Sequence, residues 1–399
     1  MNIFDDKQNQ TTDLQLDDYP EEYKPIINRL FLANQDEVLK ESIIQEQDLL
    51  DEYNNLINRQ LKDQQTIEHE HVLRVEAEKQ KESLVQSELF KLRCEFETFS
   101  TSTLYHAEDL PFSIKDIPDV FTNFRKKTEK DATIRNVFKK PTAIKSPKIS
   151  NISLPTLKDL GLNSISTDSR AVLQFKGGET EAILRLKHYF FETKSISKYK
   201  ETRNGMIGAD YSSKFSAWLA LGSLSPREIY FELKKYEAEF GSNDSTYWLV
   251  FELLWRDYFR FMMKKHHFKF FQQNGIQSKG IPINKHNILA LQSWIEGQTG
   301  VDFIDANMLE LKLTGFMSNR GRQNVASYLC NDLKLDWSYG AAYFEQQLID
   351  YDVCSNWGNW AYLAGVGNDP RGNRYFNIEK QAQDYDKDKD YRKLWLADF

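Results

Sequence analysis

From Glu179 to the C-terminus, apolar residues return every three or four positions. Ile183, Leu186, Tyr189 and Phe190 share one face, and further on Trp248, Phe251, Trp255 and Phe259 share another. That period predicts amphipathic helices over 179–399. Residues 1–66 are polar and acidic, with Ile26, Leu30, Leu39, Ile43, Leu50, Leu56 and Leu61 spaced as in helix or frayed coil, and they lack the β-branched runs of a buried parallel strand. Over 67–136 a helical stretch gives way to a short apolar run at 92–99, which reads as the tail of an α/β layer. Pro141, Pro147, Pro155 and the pair Gly177-Gly178 break all periodicity, so 137–178 is a connector. The expected fold is mainly α: an all-helical domain at 179–399, preceded by an incomplete α/β region.

Composition narrows the class. Aromatic residues make up 13% of the 399 positions, with 8 Trp, 19 Tyr and 26 Phe, most of them after residue 185, where a large core or ligand-facing cluster can form. No run is apolar enough to span a membrane, and MNIFDDKQNQ is too acidic for a secretory or transit signal, so a soluble intracellular protein is expected. Three distant cysteines, Cys94, Cys330 and Cys354, support neither a disulfide framework nor a metal site. A net charge of -7 argues against wholesale coating of nucleic acid, but a local basic groove is compatible with it.

Motifs exclude several chemistries. GVGNDP at 365–370 follows no predicted strand and lacks the third glycine of a dinucleotide loop, and no P-loop, GxSxG elbow or HExxH is present. Four constellations remain. In 201–227, Gly205 and Gly208 precede Ser212, Ser213, Lys214 and Ser216, which offer hydroxyls and a cation to a diphosphate; plain helix capping is the alternative. In 251–262, Glu252, Trp255 and Arg256 fall on one helical face, so that an acid, an indole and a guanidinium converge on a planar substrate, or simply form a core face with a Glu–Arg pair. In 314–329, Asn319, Arg320 and Arg322 open a helix against its dipole, which calls for a phosphate or carboxylates nearby. In 348–371, Asp350, Asp352, Asn356, Trp357, Asn359 and Trp360 combine polar edges with indoles; paired-Asp acid/base catalysis is the rival reading.

The segments 201–227, 248–260, 314–329 and 348–376 resemble, in order, the signature blocks of the photolyase/cryptochrome FAD domain. STLYHAEDLPF, PDVFTNFRK and YKETRNGM resemble the DASH branch in particular, and the similarity runs from about Glu68 to Phe399. The resemblance implies an all-α domain holding a bent FAD without a covalent bond, after a remnant of a Rossmann-like antenna domain at 67–136. Tyr199 is then near the cofactor, and Ser212, Ser213, Lys214, Phe215 and Ser216 surround its phosphates. Asn319 belongs to the cofactor and DNA sites, Arg322 pairs with Asp350, Asp352 meets the flavin's polar edge, and Asn356 stands beside the ring nitrogen at position five. Glu252, also counted among the cofactor contacts, and Trp255 contact the lesion; Arg256 and Arg320 lie near the DNA backbone. Trp360 and Trp337 match the first two members of a photoreduction relay, and Asn284 stands where the third is expected. The implied activity is light-driven electron transfer to cyclobutane pyrimidine dimers in single-stranded DNA by a monomeric deoxyribodipyrimidine photolyase, with a blue-light photoreceptor lacking repair as the alternative. The family's folate antenna, methenyltetrahydrofolate, is not carried over, because residues 1–65 lack the strands that hold it.

Overall fold

The computed structural model describes residues 83–93, 102–143, 155–163, 166–277, 287–369 and 374–397. The chain divides into two units, Met1–Asp63 and Gln64–Phe399, and everything below concerns the second. The expectations for residues 1–66, and those for Cys94 and Asn284, fall outside the described residues. From Phe121 onward the longer helices are α1 (Phe121–Asp131), α2 (Glu179–Lys187), α3 (Pro226–Phe240), α4 (Asp244–His266), α5 (Ile288–Glu296), α6 (Asp302–Thr314), α7 (Asn319–Ser327), α8 (Trp337–Gln347), α9 (Val353–Leu363), α10 (Ile378–Tyr385) and α11 (Asp390–Leu396). No strand occurs among the described residues; within 102–136 the chain forms two short 3-10 turns and α1. No helix among them is long and apolar enough to cross a membrane.

Helix α4 is the spine. Asn243 accepts from the backbone of Ser245 and Thr246 while Thr246 Oγ1 accepts from the Asn243 backbone N–H, a reciprocal cap that satisfies otherwise orphaned donors. Lys264, Lys265 and His266 in the last turn complement the negative end of the helix dipole. Leu249, Leu253, Leu254, Tyr258, Phe261 and Met262 are buried along one broad stripe. Asp257 lies in the same stripe and is fully buried, because it accepts from the backbone N–H groups of Leu104 and Tyr105, each at 2.9 Å. A carboxylate on α4 thus fastens a segment more than 150 residues upstream.

Helix α6 is enclosed on nearly every side, from Phe303 to Leu311. Its buried polar residues each have a hydrogen-bond partner, although Glu310 keeps one oxygen, Oε1, without one. Asp305 accepts from Thr299 and Gly300, and Glu310 accepts from the Tyr391 hydroxyl of α11 at 2.6 Å. Gly315, at φ 68°, ends α6 in a left-handed turn and releases the chain toward α7.

Candidate functional site

The serine-rich loop between α2 and α3 is shaped by one arginine. Arg185 is buried in the apolar face of α2, donates from Nε to the Ser213 carbonyl at 3.0 Å and from Nη2 to the carbonyls of Ala209 and Ser212, and holds Asp210 at 2.7 Å. These contacts consume the loop's carbonyls and leave its hydroxyl-bearing side lining a cavity of about 230 Å³ with Tyr199, Arg203, Glu252, Asn319, Arg322 and Asp350. The short helix Ser216–Ala220 begins without any side-chain cap, so capping is not what the serines do. Lys214 sits in the left-handed region at φ 60°, unusual for a residue with a Cβ. Its ammonium is buried over the Tyr211 ring without a hydrogen-bond partner, and burial drives its pKa well below the usual lysine range. A buried donor of this kind is costly unless an anion completes it.

A second cavity, of about 110 Å³, is lined by Asp352, Ser355, Asn356, Asn359 and Trp360 and shares Asn319, Arg322 and Asp350 with the first. Arg322 joins the two. Its Nη2 donates to both Asp350 oxygens at 3.0 and 2.9 Å, and its Nε donates to the Met317 carbonyl, so the guanidinium is fixed at the shared wall. This supplies the negative partner that an arginine in the first turn of α7 requires. Asp352 caps α9 by accepting from the Ser355 N–H and also pairs with Arg260. Asn356, on the first turn of α9, donates its amide to the Ala341 carbonyl of α8 and lines the cavity.

At the outer margin of the first cavity, Glu252 accepts from Arg203 at 2.6 Å and from the Trp248 indole at 3.2 Å. Enclosure raises its pKa, with Arg203 opposing the rise. Trp255 stacks on Phe121 of α1, with centroids 3.7 Å apart, meets Tyr362 edge-on and is partly buried. The expected convergence of Glu252, Trp255 and Arg256 is not what the structure shows. Arg256 is drawn by the carbonyls of Ser102 and Leu219 into a separate cavity, and the partner of Glu252 is Arg203 instead. Arg320 lies half-buried against the Tyr385 ring and donates to Asn204 and Gln381. Tyr199 and Phe215 are buried in the cavity wall, while Ser212, Ser213 and Ser216 line it as expected positions for phosphate contacts.

Trp360 packs against Trp294 at 6.2 Å and Phe344 at 5.1 Å, and its ring rests on Gly340, one turn along α8 from Trp337. Trp337 in turn meets Trp357 edge-on at 5.7 Å and donates to the Gln273 carbonyl. A Cβ added at Gly340 would lie 2.2 Å from the Trp360 ring. Gly340→Ala is therefore expected to destabilise the fold by about 1–3 kcal/mol through overpacking, against the usual gain for alanine in a helix. A thermal melt with tryptophan fluorescence checks this; an unchanged or raised midpoint would refute the packing.

Residues 248–399 match a family model described as the FAD binding domain of DNA photolyase. Cryptochrome DASH of Danio rerio is 53% identical over 324 residues, covering 79% of this chain and 62% of the relative; that of Synechocystis is 56% identical over 299 residues, covering 74% and 61%. The chain belongs to the photolyase/cryptochrome family, in its DASH branch. The crystal structure of a Synechocystis cryptochrome aligns with a TM-score of 0.75 at 54% identity, covering 79% of this chain and 65% of that one. The chain thus spans just over three fifths of the length of these relatives.

The residues present fit the dinucleotide that this family domain is named for. The unpartnered Lys214 ammonium and the serine side of the loop suit a diphosphate, and the α9 start offers Asp352 and Asn356 to a ring edge. Three contributing residues escaped the sequence reading: Arg185, Arg203 and Arg260. Arg185 had a legible signal, since it interrupts the apolar face made by Ala182, Leu186 and Tyr189. Arg203 and Arg260 had none, because their partners are 49 and 92 residues away.

Proposed function

We propose that this chain binds FAD, folded over the Arg322–Asp350 pair, and acts as a light-driven photolyase on cyclobutane pyrimidine dimers in single-stranded DNA. The observation that carries the reading is the buried Lys214 Nζ, left without a hydrogen-bond partner beside a cavity already walled by serines. Tyr199, Ser212, Ser213, Lys214, Phe215 and Ser216 would hold the diphosphate, and Asp352 and Asn356 the ring edge. FAD, when bound, supplies the photoexcited electron donor.

The chain's own residues do the rest. Arg203 and Trp248 both donate to one Glu252 oxygen and so fix the carboxylate at the cavity margin, with its second oxygen left to accept from a pyrimidine N–H. Phe121 fixes the plane of the partly buried Trp255 indole, against which the flipped-out pair would pack. Single strands are the favoured substrate because extrusion from a duplex costs a few kcal/mol. The test is illumination of flavin-loaded, reduced protein with a dimer-containing single-stranded oligonucleotide. Loss of dimers that depends on light and falls in Glu252→Ala is the expected result; no loss would overturn repair and favour a photoreceptor.

A further inference from the structure

Outside the flavin site lies a larger cavity, of about 630 Å³, between α4, the start of α3 and residues 137–141. Its volume falls within the usual range for small-molecule sites, about 300–1,000 Å³. Lys139, Lys140, Arg227, Arg256 and Arg260 bring positive charge to it, against Glu179, which Lys140 holds at 2.8 Å, and Glu228.

Arg227 is the decisive residue. It is only 6% exposed, its Nε is buried without a hydrogen-bond partner, and among the described residues its guanidinium has no carboxylate. The guanidinium carbon lies 5.9 Å from the centre of the Phe138 ring. It also occupies the first turn of α3, where the helix dipole adds to its charge and favours an anion. Arg260, whose other end pairs with Asp352, likewise has a buried Nε with no partner. Two incompletely satisfied guanidinium groups in one cavity are expensive to maintain without a ligand. At the rim, Phe138 and Leu221 are each 73% exposed, an apolar lip beside the cationic floor.

We propose that this cavity is a second ligand site, for a phosphorylated aromatic molecule of nucleotide size. The phosphate binds Arg227 and Arg260, and the ring lies against Phe138 and Leu221. The site is distinct from the flavin cavity and does not depend on the reading of that cavity. It touches it at one point: a phosphate on Arg260 competes with Asp352 for the same guanidinium.

The test is calorimetric titration of ADP into flavin-loaded protein, with inorganic phosphate as the probe lacking a ring; flavin absorbance of the same sample reports loading separately. In protein that takes up no flavin, the Arg227-dependent part of the ADP binding is read instead. Saturable ADP binding, tighter than phosphate, and weakened about tenfold or more in Arg227→Gln is expected, since a charge-assisted hydrogen bond is worth about 1.5–3 kcal/mol. Without ligand, Arg227→Gln is expected to hold or raise the melting temperature, whereas a purely structural arginine would lower it. Should Arg227→Gln fail to fold, the exposed pair Lys139→Gln/Lys140→Gln carries the test, with weaker ADP binding expected. Absence of ADP binding, or affinity unchanged by these substitutions, would overturn the proposal.

Discussion

Asp350→Ala is expected to yield protein that loses FAD on purification, with affinity reduced by about 10²–10³-fold, or about 3–4 kcal/mol, the lower part of the range for removing one partner from a buried ion pair. The side chain of Asp350 is almost wholly buried, and both its oxygens accept from the same Arg322 nitrogen. Without it, Arg322 keeps only the Met317 carbonyl and can swing out of the wall shared by the two cavities. Asp350→Asn retains the volume and one acceptor and should fall between wild type and alanine. The ratio of flavin to protein absorbance, read beside a thermal melt, separates ligand loss from general unfolding. If the alanine variant keeps a full complement of flavin, the cavity over this pair is not where the cofactor lies.

The sequence made the scaffold legible where one helix decides its own fate. The three-to-four period of α4, the Asn243 and Thr246 cap and the basic last turn are all local signals. Its reading failed where direction is set at a distance. Glu252, Trp255 and Arg256 share a helical face by spacing, but Arg203, Phe121 and the Ser102 carbonyl pull them to three different surroundings. Long side chains take their course from partners that no periodicity records. The serine cluster shows the same limit from the other side: local chemistry favours a cap, and only the Arg185 contacts, folding the loop carbonyls inward, turn those residues toward the cavity. A negative partner for the α7 start was reachable because a helix start with two arginines is unfavourable by itself, while Asp350 as the partner of Arg322 came from the family resemblance. What it joins, two cavities in one site, depends on α7 and the turn before α9 meeting in space.

Asp257 was not singled out from the sequence, yet it should carry one of the largest effects on stability. Its carboxylate satisfies two backbone donors of the 104–105 segment, so Asp257→Ala leaves both N–H groups buried and unpaired, at a cost of about 3–5 kcal/mol. Burial also raises its pKa from 3.8 to about 7, despite those two hydrogen bonds and the nearby charges of Arg256 and Arg260. The folded protein therefore binds this proton more tightly than the unfolded chain does. Stability from this group is complete below the unfolded pKa and is lost as pH rises through about 7, by about 4 kcal/mol in all. Glu310, raised to about 7 by the same cause, acts in the same direction. Wild-type protein should accordingly show a lower urea midpoint at pH 7.5 than at pH 5.5, and Asp257→Asn, which cannot titrate there, should narrow that gap. An equal drop in both proteins would mean that the Asp257 proton is not taken up on folding, and that the strap at 104–105 is held by a carboxylate charged throughout.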